Sequence, residues 1–188
     1  MISCACLEVR AVSVLLASML LVSAAGQAHG ADAREALGPE RIGASFEEVA
    51  QGAVLACGGE AARRVCTMTS PAPVVFAGVP VMRIEAVFDD SRLEQVRVTL
   101  AIKQYEDLLH DLTARYGEGE DHSFLAVAGM SGDFVAGVHV WRTAASSLVL
   151  EQYAGKIDRC ALTYGTATSL AELVRKANSY PRGARRDL

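Results

Sequence analysis

The chain lacks the residue constellations on which most enzyme chemistry is built. It has no C-x-x-C pair, which argues against a thiol–disulfide redox centre. Its four histidines, His29, His110, His122 and His139, make no close ligand pair with a cysteine, so the ligand set of a zinc site is missing. Glycine-rich phosphate loops are absent. The nearest approach to a nucleophile elbow is Gly129-Met130-Ser131-Gly132-Asp133. Asp133 stands where the last glycine is needed and strand-like sequence follows, so the stretch reads as a turn. The acidic run Glu118, Glu120, Asp121 lacks the alternation and the closing Glu of a calcium loop and reads as solvated loop. No pair of carboxylates stands out for glycoside chemistry. Basic charge is scarce as well. A formal net charge of −4 argues against nucleic acid as a partner. Only the tail 181–188, PRGARRDL, is locally basic, and it is expected to fray. The sequence therefore singles out no catalytic, cofactor-binding or metal-binding residue and indicates no cofactor.

An apolar run of bilayer length is also missing. The charge-free stretch Ala11 to Ala25 is about 15 residues, against the ~20 that a spanning helix needs. A weakly basic n-region with Arg10 and Glu8 precedes it, and the small residues of AGQAHGADA follow. That order is a secretory signal peptide, 1–28, with cleavage after Ala28; Ala24 and Gly30 are alternative sites. An uncleaved signal acting as a membrane anchor is the competing reading. Cys4 and Cys6 precede the run, where they give no support to lipidation and are lost with the signal. The mature chain, in the periplasm or secreted, has no stable membrane insertion and keeps Cys57, Cys66 and Cys160. An oxidising compartment favours a Cys57–Cys66 disulfide, tying the end of the first helix to the first strand. Pairings that use Cys160 compete with it, and the odd count leaves one thiol over.

What is present is periodicity. Residues 29–44 read as a leader of low order. Ser45 to Glu48 forms a capping box, and Phe46, Val49, Ala50, Ala53 and Val54 recur at helical spacing, which predicts a helix over 45–56 closed by Cys57 and Gly58-Gly59. Extended segments follow at 65–69 and from Val74. The stretch VMRIEAVFDDSRLEQVRVTL then alternates apolar and polar residues around Asp89-Asp90-Ser91, which predicts a hairpin in a sheet covered on one side. Tyr105, Leu108, Leu109, Leu112 and Tyr116 predict a helix over 102–116 with Gly117 behind it. Three strand candidates come next: FVAGVHVWR, SSLVLEQY and DRCALTYG. A last helix is expected from a second capping box at Ser169 and is stopped by Pro181. The expected fold is α+β: one domain over 45–180, an antiparallel sheet with the helices on one face, in helix–strands–helix–strands–helix order.

The lone tryptophan, Trp141, shares a strand side with His139. If that side is open, His139 and Trp141 beside Arg142 form a candidate binding face; if it is covered, they are core.

The opening RIGASFEEV, the hairpin VMRIEAVFDDSRLEQVRVTL and the helix ending RYG resemble small secreted bacterial modules. These are the outer-membrane assembly lipoproteins of the BamE/SmpA type and the β-lactamase-inhibitor-protein fold. The likeness is one of element order over most of 41–165, without the lipid-bearing cysteine of the assembly lipoproteins. It implies a non-enzymatic, protein-binding role. The functional expectation is an exported protein that binds a protein or envelope component through an exposed sheet face. A small secreted hydrolase with an unidentified site is the alternative.

Overall fold

The computed structural model describes residues 33–60, 62–71, 73–76, 78–127, 133–143, 146–178 and 185–187. The expected signal peptide, the serine turn at 129–132 and Pro181 lie outside the described residues. Helix α1 (Arg34–Leu37) and a 3₁₀ turn (Pro39–Arg41) lead into α2 (Phe46–Gly52). Six strands follow: β1 (Leu55–Glu60), β2 (Arg63–Met68), β3 (Val75–Phe76), β4 (Val79–Pro80), β5 (Arg83–Asp89) and β6 (Arg92–Ala101). A second 3₁₀ turn (Ile102–Gln104) opens α3 (Tyr105–Tyr116). Six more strands come next: β7 (Glu120–Asp121), β8 (Phe124–Val127), β9 (Asp133–Ala136), β10 (Val138–Arg142), β11 (Ser147–Glu151) and β12 (Arg159–Gly165). Helix α4 (Ala167–Asn178) and β13 (Arg185–Asp187) complete the described elements.

The fold is α+β, built on an eight-stranded antiparallel sheet in the order β1-β2-β5-β6-β12-β11-β10-β7. Each half of the chain supplies four neighbouring strands, and the last strand of each half lies at the centre. There β6 pairs β12, with Leu100 opposite Cys160 and Val96 opposite Tyr164. The main core lies on one face of this sheet. Ile84, Ala86 and Phe88 of β5, Val96, Val98 and Leu100 of β6, and Cys160, Leu162 and Tyr164 of β12 are buried against Val49 of α2 and Leu112 of α3. A second cluster occupies the opposite face of the second half only. There Val138, Val140 and Val149 pack under Leu170 of α4 and Phe124 of β8.

The β5–β6 hairpin follows the period-two pattern. Its buried residues alternate with Arg83, Glu85 and Val87. Asp90 and Ser91 both adopt positive φ, 45° and 63°. Two such residues in a two-residue connection match the twist of the strands, but a β-carbon there is strained. Ser91→Gly is therefore expected to raise stability by about 0.5–1 kcal/mol after the loss of chain entropy, measured as a shifted urea midpoint at constant slope.

Several expectations are corrected. Among the described residues the order contains a helix before the capping box, twelve strands before α4 and one after it. The helices lie on both faces, because α2 and α3 pack on one side and α4 on the other. The described part of the supposed leader, 33–44, is anchored. Ala33, Ala36 and Leu37 are buried, the Ala33 amide donates to the Val75 carbonyl, and the Tyr164 hydroxyl donates to the Leu37 carbonyl. Those three apolar residues share one short helical face that Gly38-Pro39 cuts off. In α2 the capping box forms as expected, with Ser45 and Glu48 each accepting from the other's amide, but the helix ends at Gly52. Leu55 onward is drawn into the β1–β2 ladder instead. FVAGVHVWR divides at Gly137 because β9 and β10 belong to different sheets. α4 begins at Ala167, where Thr166 rather than Ser169 caps: the Ser169 amide donates to Thr166 Oγ1, and Ser169 Oγ donates to the Glu94 carbonyl. In the basic tail, Arg185–Asp187 pairs parallel with Leu125–Val127.

Candidate functional site

The second core cluster leaves the corresponding face of the first half uncovered. Register places Val65, Val87 and Gln95 in one row across β2, β5 and β6, and Thr67, Glu85, Arg97 and Thr163 in the next, which extends onto β12. All point away from the main core, since their chain neighbours Cys66, Ala86, Val96 and Val98 point into it. Val65 is 48% exposed. Beside the two valines runs a balanced charge row. Arg83 pairs with Glu85 at 3.0 Å, and Arg97 pairs with Glu151 at 2.8 Å. Arg83 also donates to Thr67 Oγ1, and Arg97 to Thr163 Oγ1. An ion pair as open to solvent as Arg83–Glu85 contributes at most about 1 kcal/mol. The effect of these pairs is to hold long side chains in place, which lowers the ordering cost of binding something against them.

At the start of β5, where Arg83 of this face meets Met68, Val74, Val81 and Ile84 of the main-core side, lies a groove of about 370 Å³ that Thr69, Ser70 and Met82 also line. Met82 is 52% exposed at its rim. A flexible thioether at a surface groove adapts to the shape of an incoming side chain. The edge beside this face is β1, whose Ala56 and Gly58 add little side-chain bulk. The sequence marks Arg83, Glu85 and Arg97 as polar members of the alternation, but it gave no sign that Val65 and Met82 would stay exposed.

His139 and Trp141 do not form an open face, which corrects the candidate binding face. They lie on the helix-covered side, opposite Leu150 and Leu148 of β11. Trp141 is 3% exposed and its indole donates to the Gly117 carbonyl at 2.8 Å. The ring sits so close to the α3–β7 loop that a β-carbon on Gly119 would come within 2.7 Å of it. His139 is half-buried, with its ring near those of Tyr105 and Trp141. Among the described residues the His139 ring makes no side-chain hydrogen bond. Burial lowers the His139 pKa below its ordinary 6.5, outweighing the acids Asp121, Glu106 and Glu118 that pull it upward. The unfolded chain then binds the proton more readily than the folded one. Stability is accordingly expected to fall as pH drops below about 6.5 toward the lower folded value. His139→Gln should flatten this part of a thermal-melting profile between pH 7 and 5.

Cys57 and Cys66 form the expected disulfide. It joins directly opposed residues of β1 and β2, so it staples the edge hairpin and not a helix end to a strand. Near the end of β1, opposite Arg64, Gly59 takes a φ of 98°, and a β-carbon there would overlap the Arg63 carbonyl. Cys160 is a buried free thiol on the main-core face of β12. It lies against the Ala101 carbonyl, and burial pushes its pKa up to about 11. That suits an unreactive core residue.

Among the described residues no group of three or more His, Cys, Asp or Glu is gathered to hold a metal ion, and no helix is long and apolar enough to cross a membrane. No protein-family model, curated protein or solved structure matches the chain.

Proposed function

We propose that the protein is an exported, non-enzymatic binding module that engages a protein of the cell envelope through the open half of its sheet. The supporting observation is the asymmetry of cover. Both faces of the second half are packed, whereas β2, β5 and β6 leave one face without a covering layer, where the exposed Val65 and the half-buried Val87 adjoin ordered, charge-balanced side chains. A flat surface with an apolar centre and a polar surround has the make-up of a protein interface. The likeness to the assembly-lipoprotein and inhibitor modules implies the same role. Export rests on residues 1–28, and the disulfide suits an oxidising compartment.

The reading is tested by capture of partners from the native host's envelope with wild type, with Val87→Glu plus Arg97→Glu, and with the α4 surface control Thr168→Glu. The expected result is one discrete partner held by wild type and the control and lost by the double variant. Retention by all three would overturn the reading. Export is tested separately: the mature amino terminus should fall just after Ala28.

A further inference from the structure

The main sheet ends at β1, and among the described residues β1 pairs with β2 alone. The Thr69 amide donates to the Val54 carbonyl, so Val54 and Thr69 are a hydrogen-bonded pair of this antiparallel ladder. Bonded and non-bonded pairs alternate. Ala56 and Gly58 therefore sit in bonded pairs, and Leu55 and Cys57 in the non-bonded pairs between them. The Cα atoms of Cys57 and Cys66 are 4.0 Å apart, the close spacing of a non-bonded pair. Leu55 and Cys57 thus turn their N–H and C=O groups away from β2, toward the outer edge, where no described residue takes them up. Exposed edges are ordinarily blunted by lysine, proline or an inward-pointing charge. Residues 54–58, VLACG, carry none of these. The disulfide holds this edge in register, and the positive φ of Gly59 ends its regular stretch.

We infer that β1 is a dimerisation edge, which pairs antiparallel with β1 of a second copy of the chain about a twofold axis at Ala56. A twofold interface sets one surface against itself, and this edge is complementary to itself. Pairing Leu55 with the partner's Cys57, and Cys57 with the partner's Leu55, uses every outward N–H and C=O of these residues and centres the axis on Ala56. Ala56 then lies directly opposite the partner's Ala56, where a small side chain fits the close spacing. In the same row Val54, 69% exposed, falls opposite the partner's Gly58. A β-carbon on Gly58 would meet nothing within 4 Å, so the glycine leaves room for the valine. The exposed Val65 stands one strand behind that glycine. Like charges do not meet, because Glu60, the charged residue of β1, lies beyond the paired stretch. The axis runs perpendicular to the sheet, so the open faces of the two protomers lie side by side. The pairing does not depend on what that face binds.

Two short strands make a small interface, so a dissociation constant on the order of 10–100 μM is expected. In sedimentation of the purified mature chain, wild type should pass from monomer to dimer across concentrations that bracket this value. Amide exchange at Leu55 and Cys57 should slow as concentration rises, while Ala56 and Gly58, already bonded to β2, should not change. Ala56 is exposed, and Ala56→Lys sets two ammonium groups opposite each other at the axis, so this variant should be monomeric, as should Ala56→Glu. An equimolar mixture of the two should dimerise again, which also shows that both variants fold. A wild type that stays monomeric throughout would overturn the proposal. So would dimers of both charge variants alone, or a mixture that does not associate. Protection of Leu55 and Cys57 only on addition of envelope extract would give the edge to another protein and overturn the second copy. Sedimentation is measured without any partner protein, so its outcome is separate from that of partner capture on the open face.

Discussion

Trp141→Ala is expected to destabilise the protein by about 3–5 kcal/mol, the usual consequence of removing a large buried aromatic side chain. The indole fills the space between β10, β11 and the α3–β7 loop. It closes that loop by donating to Gly117 and touching the ground that Gly119 leaves clear. Truncation opens a cavity and removes the donor together. For a chain of this length each kcal/mol is worth roughly 2–4 °C, so the melting temperature should drop by about 6–20 °C. Since the tryptophan is the reporter being removed, circular dichroism and not fluorescence should follow the transition. A loss below about 1 kcal/mol would return Trp141 to an exposed role.

Opening the Cys57–Cys66 bridge is expected to remove about 2–3 kcal/mol, from the chain entropy that a loop of this length restores to the unfolded state. The effect should be largest locally. β1 is an edge strand of mostly exposed residues, including two glycines, and only β2 holds it in the main sheet. Hydrogen exchange on the reduced protein should therefore accelerate first at Leu55–Glu60, while the β6–β12 centre stays protected. Peptide mapping that found both thiols free in the exported protein would contradict the staple. Uniform acceleration across the sheet would contradict its local character.

Much of this architecture was legible in particular residues. The β5–β6 hairpin declared itself because one of its faces really is in water, so Arg83, Glu85 and Arg97 alternate with Ile84, Ala86 and Val98. The α3 stripe and the capping box of α2 were equally plain. The second half misled for the complementary reason. SLVLE and RCALTYG hardly alternate, because β11 and β12 are buried on both faces. Read that way, the same strings announce a second cover and place α4 opposite α3. Trp141 and His139 were left open between face and core because alternation says only which residues share a side, and not which side a helix will occupy. The buried start at Ala33–Leu37 escaped notice because its few apolar residues are too short a run to show a period. The open face was visible as polarity in the hairpin. Its apolar member Val65 was not, since an exposed valine in a strand looks like any other strand residue.

The claim that the open half of the sheet is the working surface is tested most directly by site-specific photo-cross-linking in the native host. A photoreactive side chain would be placed singly at Val65, Val87 and, as a control on the opposite half, Thr168 of α4. The account predicts one discrete higher-mass adduct from Val65 and Val87 and none from Thr168. Adducts from all three positions alike, or from none, would contradict it.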